Sequence, residues 1–61
     1  FRRSIFATED IPAGGTLTPE NIRVIRPSNG LKPKYYEEVL GKTALREIKR
    51  GTPLSWELIS K

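Results

Sequence analysis

The run of side chains best suited to directed chemistry is Arg26-Pro27-Ser28-Asn29-Gly30. A residue before proline is pushed out of the α region into an extended one. Arg26 therefore sits on backbone whose direction Pro27 sets, and the turn-forming Ser28-Asn29-Gly30 follows at once. A guanidinium held in this way offers five donors in one plane, which suits a hydroxyl-rich ligand. The plainer use is a strand-end arginine lying over apolar surface with its head in water. Asn29 is the second candidate for ligand contact, although Asn29 and Gly30 read first as residues that shape the turn. Other chemistry is poorly provided for. The chain has no His and no Cys, so the usual general base, the thiolate metal ligand and the disulfide are all missing. The carboxylate neighbours Glu9-Asp10 and Glu37-Glu38 point in different directions on a strand or helix and are poor candidates for a shared acid–base site. Gly14-Gly15 reads as a turn rather than a phosphate loop, since no Gly-Lys-Ser/Thr follows. No catalytic residue, cofactor site or metal ligand is predicted within this chain, and an enzyme in its own right is not expected.

The elements that must position Arg26 are short. Ser4 to Thr8 and Thr43 to Ile48 read as strands, and so does Asn21 to Pro27, with Arg23 and Ile25 opposite Val24 and Arg26. Pro33 to Leu40 reads as a helix of about two turns, with Pro33 early and Gly41 just past its end. Tyr36, Val39 and Leu40 share one face of it at the i, i+3 and i+4 spacing. The most informative feature is an internal echo. Asp10-Ile11-x-x-Gly14-x-x-Leu17-Thr18-x-Glu20-x-Ile22 returns at a constant offset as Glu47-Ile48-x-x-Gly51-x-x-Leu54-Ser55-x-Glu57-x-Ile59, and Ala7 corresponds to Ala44. Two copies are too few for a solenoid, so a pseudo-twofold pair packed core to core is predicted. In each copy Gly14 or Gly51 supplies a tight turn. Leu17 or Leu54 points inward, and Thr18 or Ser55 caps a single helical turn, with Pro19 at its first position. Ile22 and Ile59 close the turn onto the core. Phe6 is predicted to be core, Trp56 a partly buried wedge, and one of Tyr35 and Tyr36 core with the other at the surface.

Sixty-one residues make one small domain, 1–61, burying only about 60% of the surface its unfolded chain exposes. Hydrophobic residues make 36% of the chain and there are five Gly and five Pro, too apolar for disorder and too rich in turn formers for a helical bundle. No apolar run is long enough to span a membrane. Opening on Phe1 rather than Met suggests a piece of a larger protein, with Phe1-Arg2-Arg3 entering from upstream. Eleven Lys and Arg against seven Asp and Glu leave a net charge of +4. The basic residues are scattered and interleaved with acids, which fits a solvated mixed surface better than a small-anion site, and fits a nucleic-acid face least.

The order Ser4-Ile5-Phe6-Ala7, Asp10-Ile11-Pro12-x-Gly14, Leu17-Thr18-x-Glu20-Asn21-Ile22, Arg26-Pro27-x-Asn29-Gly30, Leu40-Gly41-Lys42 and Ile48-x-x-Gly51-Thr52-Pro53-Leu54 resembles the antifreeze-like (SAF) domain that ends the sialic acid synthase family. The resemblance implies the β-clip fold of type III antifreeze proteins, mainly β with short helical turns and an internal repeat. It also implies a parent enzyme, cytoplasmic, whose N-terminal (β/α)₈ barrel condenses phosphoenolpyruvate with an N-acetylated amino sugar, uses a divalent metal (Mn or Mg) and releases phosphate. In that family this domain does not react. It covers the barrel mouth of the second subunit in a domain-exchanged homodimer, and one of its arginines reaches the sugar; the matching position is Arg26. The family usually has Gly between the proline and the asparagine, where this chain has Ser28, which would be strained if positive φ were needed there. Gly30-Leu31-Lys32-Pro33-Lys34-Tyr35 and Gly51-Thr52-Pro53-Leu54-Ser55-Trp56 look most similar to pseudaminic acid synthases, with sialic and legionaminic acid synthases close behind.

Two other settings of the same domain are to be weighed. Flagellar or pilus assembly chaperones and sugar-acid dehydratases share the strand-Gly-turn pattern but lack Arg-Pro-x-Asn-Gly followed by a helix and Leu-Gly-Lys. Ice binding needs a flat, uncharged surface around the first copy, where this chain carries Glu9 and Asp10.

Overall fold

The computed structural model describes residues 2–60; Phe1, expected to enter from an upstream segment, and Lys61 lie outside the described residues. The order is β1 (Ser4–Ala7), β2 (Ile22–Ile25), a 3₁₀ turn at Pro33–Tyr35, α1 (Tyr36–Val39) and a second 3₁₀ turn at Trp56–Leu58. β1 and β2 are antiparallel, with Ser4 opposite Ile25 and Ala7 opposite Ile22. All four residues of β1 are buried, because the strand is bonded along both edges. β2 lies on one side. On the other, Ala7 N–H donates to Thr52 C=O and Leu54 N–H donates to Ile5 C=O. β2 is covered on one face only, so Ile22 is buried while Arg23 and Ile25 are exposed.

The predicted strand over Thr43–Ile48 is not continuous. Thr43 bridges Thr16 and Ile48 bridges Ile11, while Ala44 bridges Ile59 on the opposite side. Two of the bridges fall on the same 11–16 segment and the third on the chain end, and between them the run bends at Leu45 and Arg46, both exposed. The predicted two-turn helix divides. Pro33 opens a 3₁₀ turn, α1 adds one turn, and Leu40 leaves it in an extended conformation. Val39 is fully buried, and Tyr36 and Leu40 pack on the core beside it, as the shared face requires. Tyr35 and Tyr36 do not divide into core and surface; both are half-buried against the same cluster.

Corresponding positions of the two copies have matching environments. Leu17 and Leu54 are both 1% exposed, and Gly14 and Gly51 have φ of +84° and +88°, the left-handed backbone that only glycine adopts without strain. Their hydrogen bonds correspond too. Gly14 N–H donates to Ala44 C=O as Gly51 N–H donates to Ala7 C=O, each at 2.8 Å, and Ile11 and Ile48 exchange a reciprocal pair at 2.7 and 2.8 Å. The caps differ. Thr18 Oγ1 accepts from Glu20 N–H at 3.3 Å, whereas Ser55 makes no side-chain cap bond; its turn stands on the backbone bond from Leu58 N–H to Ser55 C=O. Phe6 is 6% exposed, as expected of a core residue, and Trp56, expected to be a partly buried wedge, is 43% exposed.

Candidate functional site

β2 delivers the chain to residues 26–30. Arg26, Pro27, Ser28 and Asn29 are all exposed and Gly30 is half-buried; the Arg26–Pro27 peptide is cis. What holds this loop is Ser4, 1% exposed at the start of β1. Its hydroxyl donates to Pro27 C=O at 2.6 Å and accepts from Gly30 N–H at 3.0 Å. One buried oxygen thereby clamps both ends of the turn, and it satisfies two backbone groups that burial would otherwise strand. The exit is fixed as firmly. Leu31 N–H donates to Leu54 C=O, and Ile5 N–H donates to Leu31 C=O, each at 3.0 Å.

Gly30 is needed here for space rather than for an unusual φ. A Cβ on it would lie 2.6 Å from Ile5 O and 3.0 Å from Leu54 N, both backbone atoms. The loop can sit flat on β1 only because that residue has no side chain. No described residue other than glycine has positive φ, so Ser28 takes its place without the strain considered above.

Beside the loop runs a groove of about 510 Å³ that includes Ser28 and Gly30 in its walls together with Arg2, Arg3, Lys32 and Lys34. The Lys34 ammonium lies 5.3 Å from the centre of the Tyr35 ring, within cation–π range. Tyr35 in turn meets Trp56 edge to face at 5.2 Å. That contact gives Trp56 its place: at the surface, beside a smaller hollow formed with Glu38, Lys42 and Ile59.

Asp10 Oδ1 accepts from Arg50 N–H at 2.8 Å and so tethers the turn of the second copy. Glu37 and Glu38 are exposed on α1. Glu47 pairs with Lys49 at 3.1 Å, and its hydrogen bond and charge raise the lysine above the ordinary 10.5. Among the described residues no three His, Cys, Asp or Glu side chains cluster to hold a metal, and no helix is long and apolar enough to cross a membrane. The arrangement can present hydrogen-bond donors and positive charge from a rigid loop.

Arg26 and Asn29, the two residues singled out for ligand contact, are both on the exposed part of this loop. Ser4 was not foreseen. Its signal is a polar residue immediately before Ile5-Phe6-Ala7, at a position that becomes interior only because β1 is covered on both edges.

Residues 2–60 match the SAF domain family. Over 61 residues the chain is 46% identical to pseudaminic acid synthase from Helicobacter pylori, a match that takes in all of this chain and 18% of that protein. It is similar in structure to an antifreeze protein like domain in human N-acetylneuraminic acid phosphate synthase, solved in solution, with a TM-score of 0.87 and 25% identity over 95% of this chain and 75% of that one. The spore coat polysaccharide biosynthesis protein SpsE of Bacillus subtilis gives a TM-score of 0.89 and 35% identity over 97% of this chain and 18% of its own. The chain thus spans less than a fifth of the length of the bacterial proteins it matches. Short strands and one-turn helices agree with these matches, and the chain belongs to the SAF domain family, with its antifreeze-like fold.

Proposed function

We propose that this chain is the non-catalytic, substrate-contacting cap of a nonulosonic acid synthase of the pseudaminic type. In this reading the parent condenses phosphoenolpyruvate with an N-acetylated amino sugar, and this domain covers the barrel mouth of a second subunit in a domain-exchanged homodimer. The catalytic groups and a divalent metal, Mn or Mg, belong to that barrel. Arg26 donates hydrogen bonds to the sugar, and Asn29 makes a lesser contact. The observation that carries the reading is the exposed Arg26 on a loop anchored by the buried Ser4 hydroxyl, in a chain with close relatives named as pseudaminic acid synthases. A guanidinium with a fixed base loses little freedom when it binds, which is how pre-organisation raises affinity.

The test is Arg26→Ala in the full-length parent. Loss of a charged hydrogen-bonding partner costs about 1.5–3 kcal/mol, so kcat/KM for the sugar should fall by roughly one to two decades. The melting temperature of the isolated 61-residue chain should stay where it was. Unchanged sugar kinetics in that variant would remove Arg26 from the site.

A further inference from the structure

We propose that the groove lined by Arg2, Arg3, Ser28, Gly30, Lys32 and Lys34 is a binding site for a small multivalent anion, one that carries phosphate or paired carboxylates. Four cations line it and no carboxylate does. Those four equal the chain's whole net charge of +4, so the rest of the molecule is balanced and the positive excess is concentrated along one groove. None of the four is in an ion pair with another described residue, whereas Lys49 has Glu47. Positive side chains gathered with no carboxylate among them repel one another, and a bound anion relieves that repulsion.

The groove is also built to keep its shape. Ser28 and Gly30 belong to the loop clamped by Ser4. Lys32 is extended and is followed by Pro33 at the first position of the 3₁₀ turn. Lys34 stands over the Tyr35 ring, whose far neighbour is Trp56. Its volume of about 510 Å³ falls within the roughly 300–1,000 Å³ of small-molecule sites. Such sites are mostly apolar, and charged walls select a polar, charged occupant instead. Exposed single ion pairs contribute little in water, so a monovalent anion gains too little to stay, while one that reaches several cations at once gains from each. The site does not rest on the capping role: an anion can bind there whether or not Arg26 touches a sugar.

The experiment is an amide NMR titration of the 61-residue chain at neutral pH with sodium pyrophosphate, with sodium citrate, and with sodium chloride at matched ionic strength. Pyrophosphate, or citrate, should shift the amides of residues 28–34 and of Arg2 and Arg3, saturating below about 10 mM in low salt and weakening as salt shortens the screening length. Lys32→Glu should weaken binding about fivefold or more. Arg46→Glu, with the same change in net charge at an exposed position outside the groove, should leave it unchanged. Lys34→Ala gives a milder second variant, and thermal melts of all three check the fold. The proposal is overturned if neither anion shifts these amides beyond the chloride control. It is equally overturned if shifts spread over Arg23, Arg46 and Arg50, or if Arg46→Glu weakens binding as much as Lys32→Glu, since either would be bulk charge alone.

Discussion

Ser4 shows how one buried hydroxyl can govern a site it never touches. Its two bonds reach residues 23 and 26 positions further along the chain, and removing it strands the Pro27 carbonyl and the Gly30 amide in a part-buried place. Ser4→Ala should cost about 1–3 kcal/mol, lowering the melting temperature by roughly 4–8 °C for each kcal/mol in a chain of this size. Under the proposed capping role it should also raise KM for the sugar in the parent, because the base of Arg26 is loosened. An unchanged melt would show that the clamp contributes nothing. The backbone direction at Arg26 was legible from its neighbour, since a proline acts on the residue before it, while its choice as the ligand contact came from the family resemblance. Ser4 was not, because hydrogen bonds between distant residues leave no local pattern.

At the scale of elements, the loop depends on how closely it approaches β1. Gly30→Ala places a methyl against Ile5 O and Leu54 N, so either the loop or the strand must move, at about 1–3 kcal/mol or more. Gly14→Ala meets nothing within 4 Å and suffers only from its φ of +84°, a penalty of about 1–2 kcal/mol. Urea melts should therefore rank Gly30→Ala as the more damaging, although Gly30 has the more ordinary backbone; the reverse order would mean the loop is free to lift. Residues 22–25 and 33–39 were legible as elements because proline and glycine punctuate them. Thr43 to Ile48 suits a strand by composition, but its bridges to Thr16 and Ile11 on one side and to Ile59 on the other are interrupted by the bend at Leu45 and Arg46, which no local residue pattern marks.

For the whole molecule, the internal echo predicts that the halves share the load. Leu17 and Leu54 are equally buried, and their amides bond to Lys42 C=O and Ile5 C=O, a corresponding pair. Leu17→Ala and Leu54→Ala should each cost about 2–5 kcal/mol and agree within about 1 kcal/mol, by denaturant unfolding. A large inequality would argue against a pseudo-twofold arrangement. The sequence by itself determined the class of fold, core residues such as Phe6, Leu17, Ile22, Val39, Leu54 and Ile59, and the backbone direction at Arg26, because hydrophobic spacing, turn residues and a proline act over a few positions. Only the tertiary structure decided that Ser4 clamps the arginine loop, that Gly30 is required for close contact, and that Arg2, Arg3, Lys32 and Lys34 line one groove. Scattered along the chain, those cations read as a mixed surface; folding brought the amino-terminal segment beside the 28–34 stretch, and charge acts through distance in space.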